Sequence, residues 1–207
     1  MQRKYLREAL EDYARSWGRN SAPEEAGNLN RFVEFIETSP FIFERNHLVG
    51  HITGSALVVD RGLERVLLTL HAKLNRWLQL GGHCDGDEAV HRAALREAEE
   101  ESGLAGLAFY PYESIFQLGD GAHPLSRPLI LDVDVHEIPQ RGTEPAHHHY
   151  DVRYLLMAEN PEAIAISKES TDLAWHSLAR VGELTQERSM HRQFDKVRHI
   201  KNKQAFA

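Results

Sequence analysis

The sequence has little of what several classes of protein require. It contains one cysteine, Cys84, in 207 residues, so a disulfide within the chain is excluded. No apolar run approaches the roughly 20 residues of a membrane span. The opening stretch MQRKYLREALEDYARSWG carries charge throughout and has no apolar segment of the secretory type. These absences predict a cytoplasmic protein with no membrane partner.

Positive charge is also scarce. The chain has 24 Lys and Arg against 31 Asp and Glu, which gives a formal net charge of −7, and the basic residues are scattered. Proteins that bind nucleic acid need a clustered basic face, so we expect no nucleic-acid partner. With 42% hydrophobic and 27% charged residues, the composition is that of an ordinary globular protein.

Hydrophobic periodicity divides the chain into three parts. Residues 1–40 are predicted to form a small helical segment, 45–185 the main domain, and 186–207 a final helix with a basic, solvated face. Two apolar stripes mark the N-terminal helices: Leu6, Leu10, Tyr13 and Trp17, then Leu29, Phe32, Val33 and Ile36. These stripes need burial, and a homodimer is one way to provide it.

The main domain combines strand-like segments with one acidic helix. The segments HITGSALVVD, ERVLLTLHA, PLILDVDVHEI and YDVRYLLMAE have the composition and alternation of strands. Residues 87–102 are predicted to form a helix between them, with Asp87 as its N-cap and Gly103 as its left-handed C-cap. The pattern indicates an α/β fold with a mixed sheet.

The end of this helix, REAEEESGL, concentrates negative charge. At about 100° per residue, Glu97, Glu100 and Glu101 fall within an arc of roughly 100°, while Glu99 points away as a surface residue. Such crowding is unfavourable, because like charges repel at this spacing and the helix carbonyl end is itself negative. The arrangement is explained by a hard cation such as Mg²⁺, which prefers oxygen ligands.

The whole stretch GGHCDGDEAVHRAALREAEEESGL resembles the Nudix box, the signature of the Nudix hydrolases. The matching positions are Gly82, Glu88, Arg96, Glu97, Ala98, Glu100, Glu101, Gly103 and Leu104. The one soft departure is Ala98, where a larger aliphatic residue is usual. The box covers residues 82–104, and the flanking strands extend the resemblance over about 45–180.

The resemblance implies a fold and a catalytic centre. The fold is a Nudix-type α/β/α sandwich with a mixed β-sheet, here preceded by the N-terminal helical segment. Glu97, Glu100 and Glu101 would ligate Mg²⁺ or Mn²⁺, together with the carbonyl of Gly81. The general base would be a box glutamate or a carboxylate from a later loop. The structural residues would be Gly82, Gly103 and the pair of Glu88 with Arg96. The candidates for the general base in later loops are Glu137, Glu144 and Glu169.

The resemblance also implies a reaction class. The family hydrolyses a nucleoside diphosphate linked to another group, and the N-terminal segment favours an ADP-ribose or nucleotide-sugar substrate by analogy. Nucleoside triphosphates, dinucleoside polyphosphates and CDP-alcohols are further candidate substrates. Three different functions compete with this one: a nucleotide-sensing module without catalysis, a Nudix-fold isoprenoid isomerase and a cap-removing enzyme. The complete glutamate set, the position of Cys84 and the acidic charge respectively disfavour these three.

Several side chains outside the carboxylates are candidates for substrate contacts. His83 in the box loop and Trp77 just before it lie where a phosphate and a nucleobase would bind; loop capping and core packing are the simpler interpretations. In AHHHYD, alternation along a strand places His147, His149 and Asp151 on one face. That set predicts a transition-metal site, a substrate contact, or a polar loop entering a strand.

Overall fold

A computed structural model describes residues 2–18, 21–116, 118, 127–167 and 170–205. No helix in these ranges is both long and apolar enough to cross a membrane. The helices and strands follow in the order α1 (Gln2–Ser16), α2 (Pro23–Phe35), β1 (Gly50–Asp60), β2 (Arg65–His71), β3 (Arg76–Leu78), β4 (Leu80–His83), α3 (Val90–Ser102), β5 (Ala108–Phe109), β6 (Asp132–Ile138), β7 (His147–Ala158), β8 (Ser170–Ser177) and α4 (Arg188–Gln204).

One mixed sheet of eight strands forms the centre of the molecule. Its two long strands, β1 and β7, pair in parallel from Gly50↔His148 to Asp60↔Ala158. The other edge of β1 pairs antiparallel with β4 and then with β2. The other edge of β7 pairs antiparallel with β6 and β5. Strand β8 pairs with the far edge of β2, and β3 pairs with the end of β2 on the edge that also faces β1.

Helices cover both faces of this sheet, which gives the predicted α/β/α sandwich. Helix α3 packs its small residues, Ala93, Ala94 and Ala98, against one face. It lies so close that a Cβ on Gly54 of β1 would be 2.8 Å from the Val90 carbonyl oxygen. Helix α4 covers the other face, with its apolar residues against Leu57 and Val59.

Helix α3 begins later than the sequence predicts. Its first residue is Val90, because Ala89 has a non-helical backbone. The predicted N-cap Asp87 is therefore wrong: Ala89 holds the N-cap position without a side-chain cap, and Asp87 accepts a hydrogen bond from the Ala89 amide at 2.9 Å. The predicted C-cap is confirmed, since Gly103 is left-handed with φ 68° and its amide bonds the Glu99 carbonyl.

The N-terminal helices share a core with the sheet. Leu6, Leu10 and Tyr13 of α1 are buried in the cluster that contains Ile52 of β1 and Tyr154 of β7. In α2 the predicted stripe is partly wrong: Phe32 is buried, but Val33 is 45% exposed. Helix α2 starts at Pro23, as its fixed backbone favours in the first helical turn.

A buried ion cluster joins β6, β7 and α4 to the N-terminal helices. Arg153 donates to Asp132 at 3.2 Å, Asp134 at 3.3 Å and Asp151 at 2.7 Å. From α4, Arg192 donates to Asp132 and Asp134, and Lys196 to Asp132. We call this set the ion cluster; it consists of Glu25, Asp132, Asp134, Asp151, Arg153, Arg192 and Lys196.

This cluster corrects the prediction that the basic residues of the final helix face solvent. Lys196 is buried, and its ammonium group donates to the Tyr13 hydroxyl at 2.8 Å and also to Glu25. Burial alone would raise the pKa of Asp132, but Lys196, Arg192 and Arg153 outweigh burial and lower it. The carboxylates therefore stay ionised, and α4 is tied into the fold by charge as well as by its apolar side.

Candidate active site

Strand β4 and helix α3 bring the box residues together. Gly82 of β4 lies directly beside Glu97 of α3, and a Cβ at Gly82 would collide with the Glu97 carboxylate. A side chain at this position would force the Glu97 carboxylate to move. Arg96 fixes the same contact, since its guanidinium donates to Glu97 and to the His83 carbonyl, at 2.8 and 2.9 Å. These two bonds fix the position of helix α3 relative to the loop that contains His83.

The three glutamates differ in their surroundings. Glu97 is mostly buried and paired with Arg96. Glu101 accepts a hydrogen bond from the Gly81 amide at 2.9 Å, so it leans toward the glycine turn. Glu100 has 65% of its side chain exposed and lies 3.9 Å from Arg96. Two carboxylates are therefore anchored at the turn, and the third faces solvent.

This donor set has the chemistry that Mg²⁺ or Mn²⁺ requires. All of its ligand atoms are carboxylate or carbonyl oxygens, which hard divalent cations prefer. In the described ranges, however, only a different group brings three ligand atoms within 4.8 Å of one another, namely His51, His147 and His149. The assignment of an ion to Glu97, Glu100 and Glu101 therefore stays a prediction.

Three further predictions about the box concern Glu99, Glu88 and Cys84, and their outcomes differ. Glu99 is not simply a surface residue: its carboxylate accepts hydrogen bonds from the amides of Gly106 and Leu107, at 3.0 and 3.3 Å. It therefore holds the loop that follows α3. The pairing of Glu88 with Arg96 stays a prediction. Cys84 is buried, which raises the pKa of its thiol and agrees with the absence of a nucleophilic role.

Five histidines gather beside the box, on the sheet face opposite α3. Ring centroids lie 4.7 Å apart for His51 and His149, 5.0 Å for His51 and His147, and 5.1 Å for His51 and His83. His136 of β6 lies 5.6 Å from His149. We call this set the imidazole cluster. It contains two predicted substrate-binding residues, His83 and His149.

Two rings of the imidazole cluster, those of His51 and His149, are uncharged at neutral pH. Burial, followed by repulsion from His51 and other rings, lowers the pKa of His149 to about 2. Burial and repulsion from His83 and His147 lower the pKa of His51 to about 4. The His47 backbone acts weakly in the opposite direction, but neither nitrogen of His51 reaches hydrogen-bond geometry. Each neutral ring keeps one nitrogen lone pair available.

The structure separates one residue from the predicted histidine set. His147, His149 and Asp151 do lie on one face of β7, as predicted, but Asp151 belongs to the ion cluster and also accepts from Thr53 and Ser55. His51 takes its place, because the parallel register sets His51 opposite His149. Sequence reasoning missed His51, which has no nearby histidine motif.

The remaining predicted residues lie apart from one another. Trp77 is on β3 and packs edge-on against His176, with ring centroids 4.5 Å apart. Glu144 is exposed, with a carboxylate oxygen 3.9 Å from His147 Nε2. Glu137 pairs with His148 in the sheet, on the face opposite the imidazole cluster. Glu169 lies outside the described residues.

A cavity of about 510 Å³ lies elsewhere in the molecule. Its walls come from α1, α2, α4 and the turn near Phe116, and they include Trp17, Arg192 and Lys196. No box residue and no member of the imidazole cluster lines it. The cavity therefore borders the ion cluster and is separate from the carboxylate chemistry.

Comparison with known proteins places this fold and site in a family. The family model for the NUDIX domain matches residues 50–197, from the start of β1 into α4. The fold and the box define a hydrolase of the α/β/α sandwich type. The chain belongs to the Nudix family and is a pyrophosphohydrolase. Enzymes of this family generally use divalent metals and act on small nucleotide substrates.

Solved structures show the same fold at low sequence identity. The C. elegans Ap4A hydrolase binary complex is 16% identical, has a TM-score of 0.51, and aligns over 72% of this chain and 95% of its own. The M. smegmatis Nudix hydrolase RenU is 19% identical, with a TM-score of 0.50 over 74% and 87%. The MutT protein from Methanosarcina mazei Go1 is 18% identical, with a TM-score of 0.50 over 76% and 97%. No curated protein matches the sequence significantly.

Proposed function

We propose that this enzyme is a metal-dependent pyrophosphohydrolase that cleaves a nucleoside diphosphate linked to another group. An ADP-ribose or nucleotide-sugar type of substrate is favoured. The observation that carries the proposal is the complete glutamate set of the box, in which Arg96 holds Glu97 and the Gly81 amide holds Glu101 at the glycine turn. The preference for a diphosphate-linked compound rests on α1 and α2, which are part of the core.

The residues of the box would divide the work of hydrolysis. Glu97, Glu100, Glu101 and the Gly81 carbonyl would hold Mg²⁺ or Mn²⁺. When bound, such ions neutralise phosphate charge and lower the pKa of water. Arg96 positions Glu97, and the exposed Glu100 is free to turn toward the substrate. Water adds to one phosphorus, the bridging P–O bond breaks, and the second phosphate leaves.

Substitution of single glutamates tests this assignment. We expect Glu100→Gln and Glu101→Gln to lower kcat by at least about 100-fold with unchanged unfolding midpoints, because each loses a charged ligand but keeps its shape. Glu99→Gln is the matched control on the same helix, and its activity should stay within about threefold, since an amide oxygen still accepts from the loop. Equal losses in all three variants would contradict the proposal.

A panel of substrates identifies the bond that is cut. ADP-ribose, a nucleotide sugar, a nucleoside triphosphate, a dinucleoside polyphosphate and a CDP-alcohol are each incubated with enzyme and Mg²⁺ in ¹⁸O-labelled water. Mass spectrometry of the products shows which phosphorus takes the label. We expect turnover of a diphosphate-linked compound, lost on adding EDTA. Binding without turnover across the panel would favour a nucleotide-sensing role.

A further inference from the structure

His51 is a buried side chain with two unsatisfied nitrogens. It is 1% exposed, and neither Nδ1 nor Nε2 has a hydrogen-bond partner. Leaving a buried polar group unpaired is unfavourable, and native proteins rarely retain one without a reason. The rings around it are those of His83, His147 and His149, which themselves offer nitrogen atoms. A neutral imidazole carries a proton on one nitrogen and a lone pair on the other, and the lone pair can bind an electrophile such as a metal ion.

His147 is prepared to bind such a partner. Its Nδ1 lies 3.0 Å from the Pro145 carbonyl oxygen, which can only accept, so Nδ1 carries the proton. With the proton on Nδ1, the atom that can bind a metal ion is Nε2, which lies 3.3 Å from Nε2 of His149. Histidines that bind metals commonly donate their other N–H to a backbone carbonyl in this way, which fixes the tautomer.

The spacing of the nitrogens suits a small coordination sphere. With Zn–N bonds of about 2.0–2.1 Å, two nitrogens in a tetrahedral site lie about 3.3–3.4 Å apart. His147 and His149 already have that separation. Ligand atoms of all three rings lie within 4.8 Å of one another. Closing the remaining gap requires a shift of at most about 1.5 Å.

We propose that His51, His147 and His149 bind one zinc-type transition-metal ion, at a structural site distinct from the carboxylates of α3. Imidazole nitrogen suits zinc and its neighbours, whereas Mg²⁺ prefers oxygen, so the two sites select different ions. The ion cross-links β1 to β7 across their parallel pairing. Its fourth ligand is a water, His83 or Glu144, whose carboxylate is 3.9 Å from His147 Nε2.

Metal titration of the full-length, untagged protein tests the site. The protein is stripped with chelator and kept in excess Mg²⁺, so that the carboxylates of α3 are occupied. We expect one equivalent of Zn²⁺ to bind and to raise the unfolding midpoint by several degrees. Co²⁺ in its place should give the intense visible absorption of a tetrahedral ion. A weak octahedral spectrum, or no bound equivalent, would overturn the proposal.

Variants of β7 assign the ligands. His147→Gln and His149→Gln should weaken Zn²⁺ binding by more than about 100-fold, because each removes a ligand outright. His148→Gln is the matched control, since the neighbouring residue lies on the opposite face of the same strand. Glu101→Gln should bind Zn²⁺ as the wild type does. If Glu101→Gln loses the ion and His149→Gln keeps it, the histidine site is refuted.

If a variant fails to fold, a measurement on the wild-type protein still identifies the ligands. X-ray absorption of the zinc-loaded protein should show three imidazole ligands, and a first shell of oxygen alone would overturn the assignment. The result is independent of the proposed hydrolysis. Turnover with Mg²⁺ in zinc-free protein tests the box, whereas the titration and the absorption spectrum test only the histidines.

Discussion

Two polar clusters lie side by side on the same face of the sheet, and they differ in whether their buried polar groups have partners. In the ion cluster, every charged group has partners of opposite sign; Arg153 alone contacts three carboxylates. In the imidazole cluster, His51 is equally buried and has none. The boundary between them falls within β7, between His149 and Asp151. We call the ion cluster saturated, because all its charges are paired, and it stabilises the fold. We call the imidazole cluster unsaturated, because His51 is unpaired, and we propose that it binds a ligand.

The largest expected effect comes from breaking the saturated cluster. We expect Arg153→Met to lower the free energy of unfolding by about 3–5 kcal/mol, because it leaves buried carboxylates without their shared cation. Urea denaturation measures the change. Arg180→Met is the control, since its pair with Glu183 is solvent-exposed and its loss should leave the denaturation midpoint unchanged. A loss below about 1 kcal/mol for Arg153→Met would mean that the saturated cluster contributes little to the fold.

A smaller, pH-dependent effect is expected at Asp134. Burial would raise its pKa, but the hydrogen bond from His136 and the charges of Arg153 and Arg192 lower it well below the usual range. The unfolded chain therefore binds this proton more readily. The contribution of Asp134 to stability is complete above the unfolded value near about 4, and it is lost as the pH falls through the folded value.

Asp134→Asn isolates that contribution. At pH 7 we expect it to lower the free energy of unfolding by about 2 kcal/mol, as for hydrogen bonds to a charged group. The difference from wild type should shrink as the pH falls below about 4, because the Asp134 carboxylate then binds a proton in the unfolded wild type, which favours unfolding. Denaturation curves measured at a series of pH values give the comparison. A difference independent of pH would show that charge at Asp134 is unimportant.

The smallest effect is expected in the unsaturated cluster. In chelator-stripped protein, His51→Leu should change the free energy of unfolding by less than about 1 kcal/mol or increase it, because it replaces unpaired nitrogens with an apolar side chain of similar size. The same substitution should abolish stabilisation by Zn²⁺. A loss of about 3 kcal/mol or more in the stripped protein would erase the contrast between the two clusters.

Local pattern in the sequence predicted the parts of this molecule that depend on neighbours along the chain. The box, the alanine face of α3 and the left-handed Gly103 are all set by spacing within one helix and its caps. The α/β/α sandwich followed from the same signature. The start of α3 was predicted too early. Asp87 bonds the Ala89 amide in the loop before the helix and does not occupy the N-cap position.

Contacts between distant segments were beyond the same reasoning. His51 joins His149 only through the parallel register of β1 and β7, and Asp151 is drawn away from the histidines by Arg153. Lys196 is on a helix whose sequence predicts a basic, solvated face, yet it is buried against Glu25 and Asp132. Helical periodicity shows which residues lie on the same face of a helix, but it does not show which charged residues another strand or helix places against that face.

The parallel pairing of β1 with β7 also sets an order of events during synthesis. Thr53 and Asp151, which bond across it, are 98 positions apart, so their meeting is a late and entropically costly closure. A ribosome must deliver all of β7 before the central strand gains this neighbour, while α1 and α2 are already outside. Capture of zinc by the nascent protein would therefore mark the pairing of β1 with β7, and the visible absorption of bound cobalt would report when that pairing occurs.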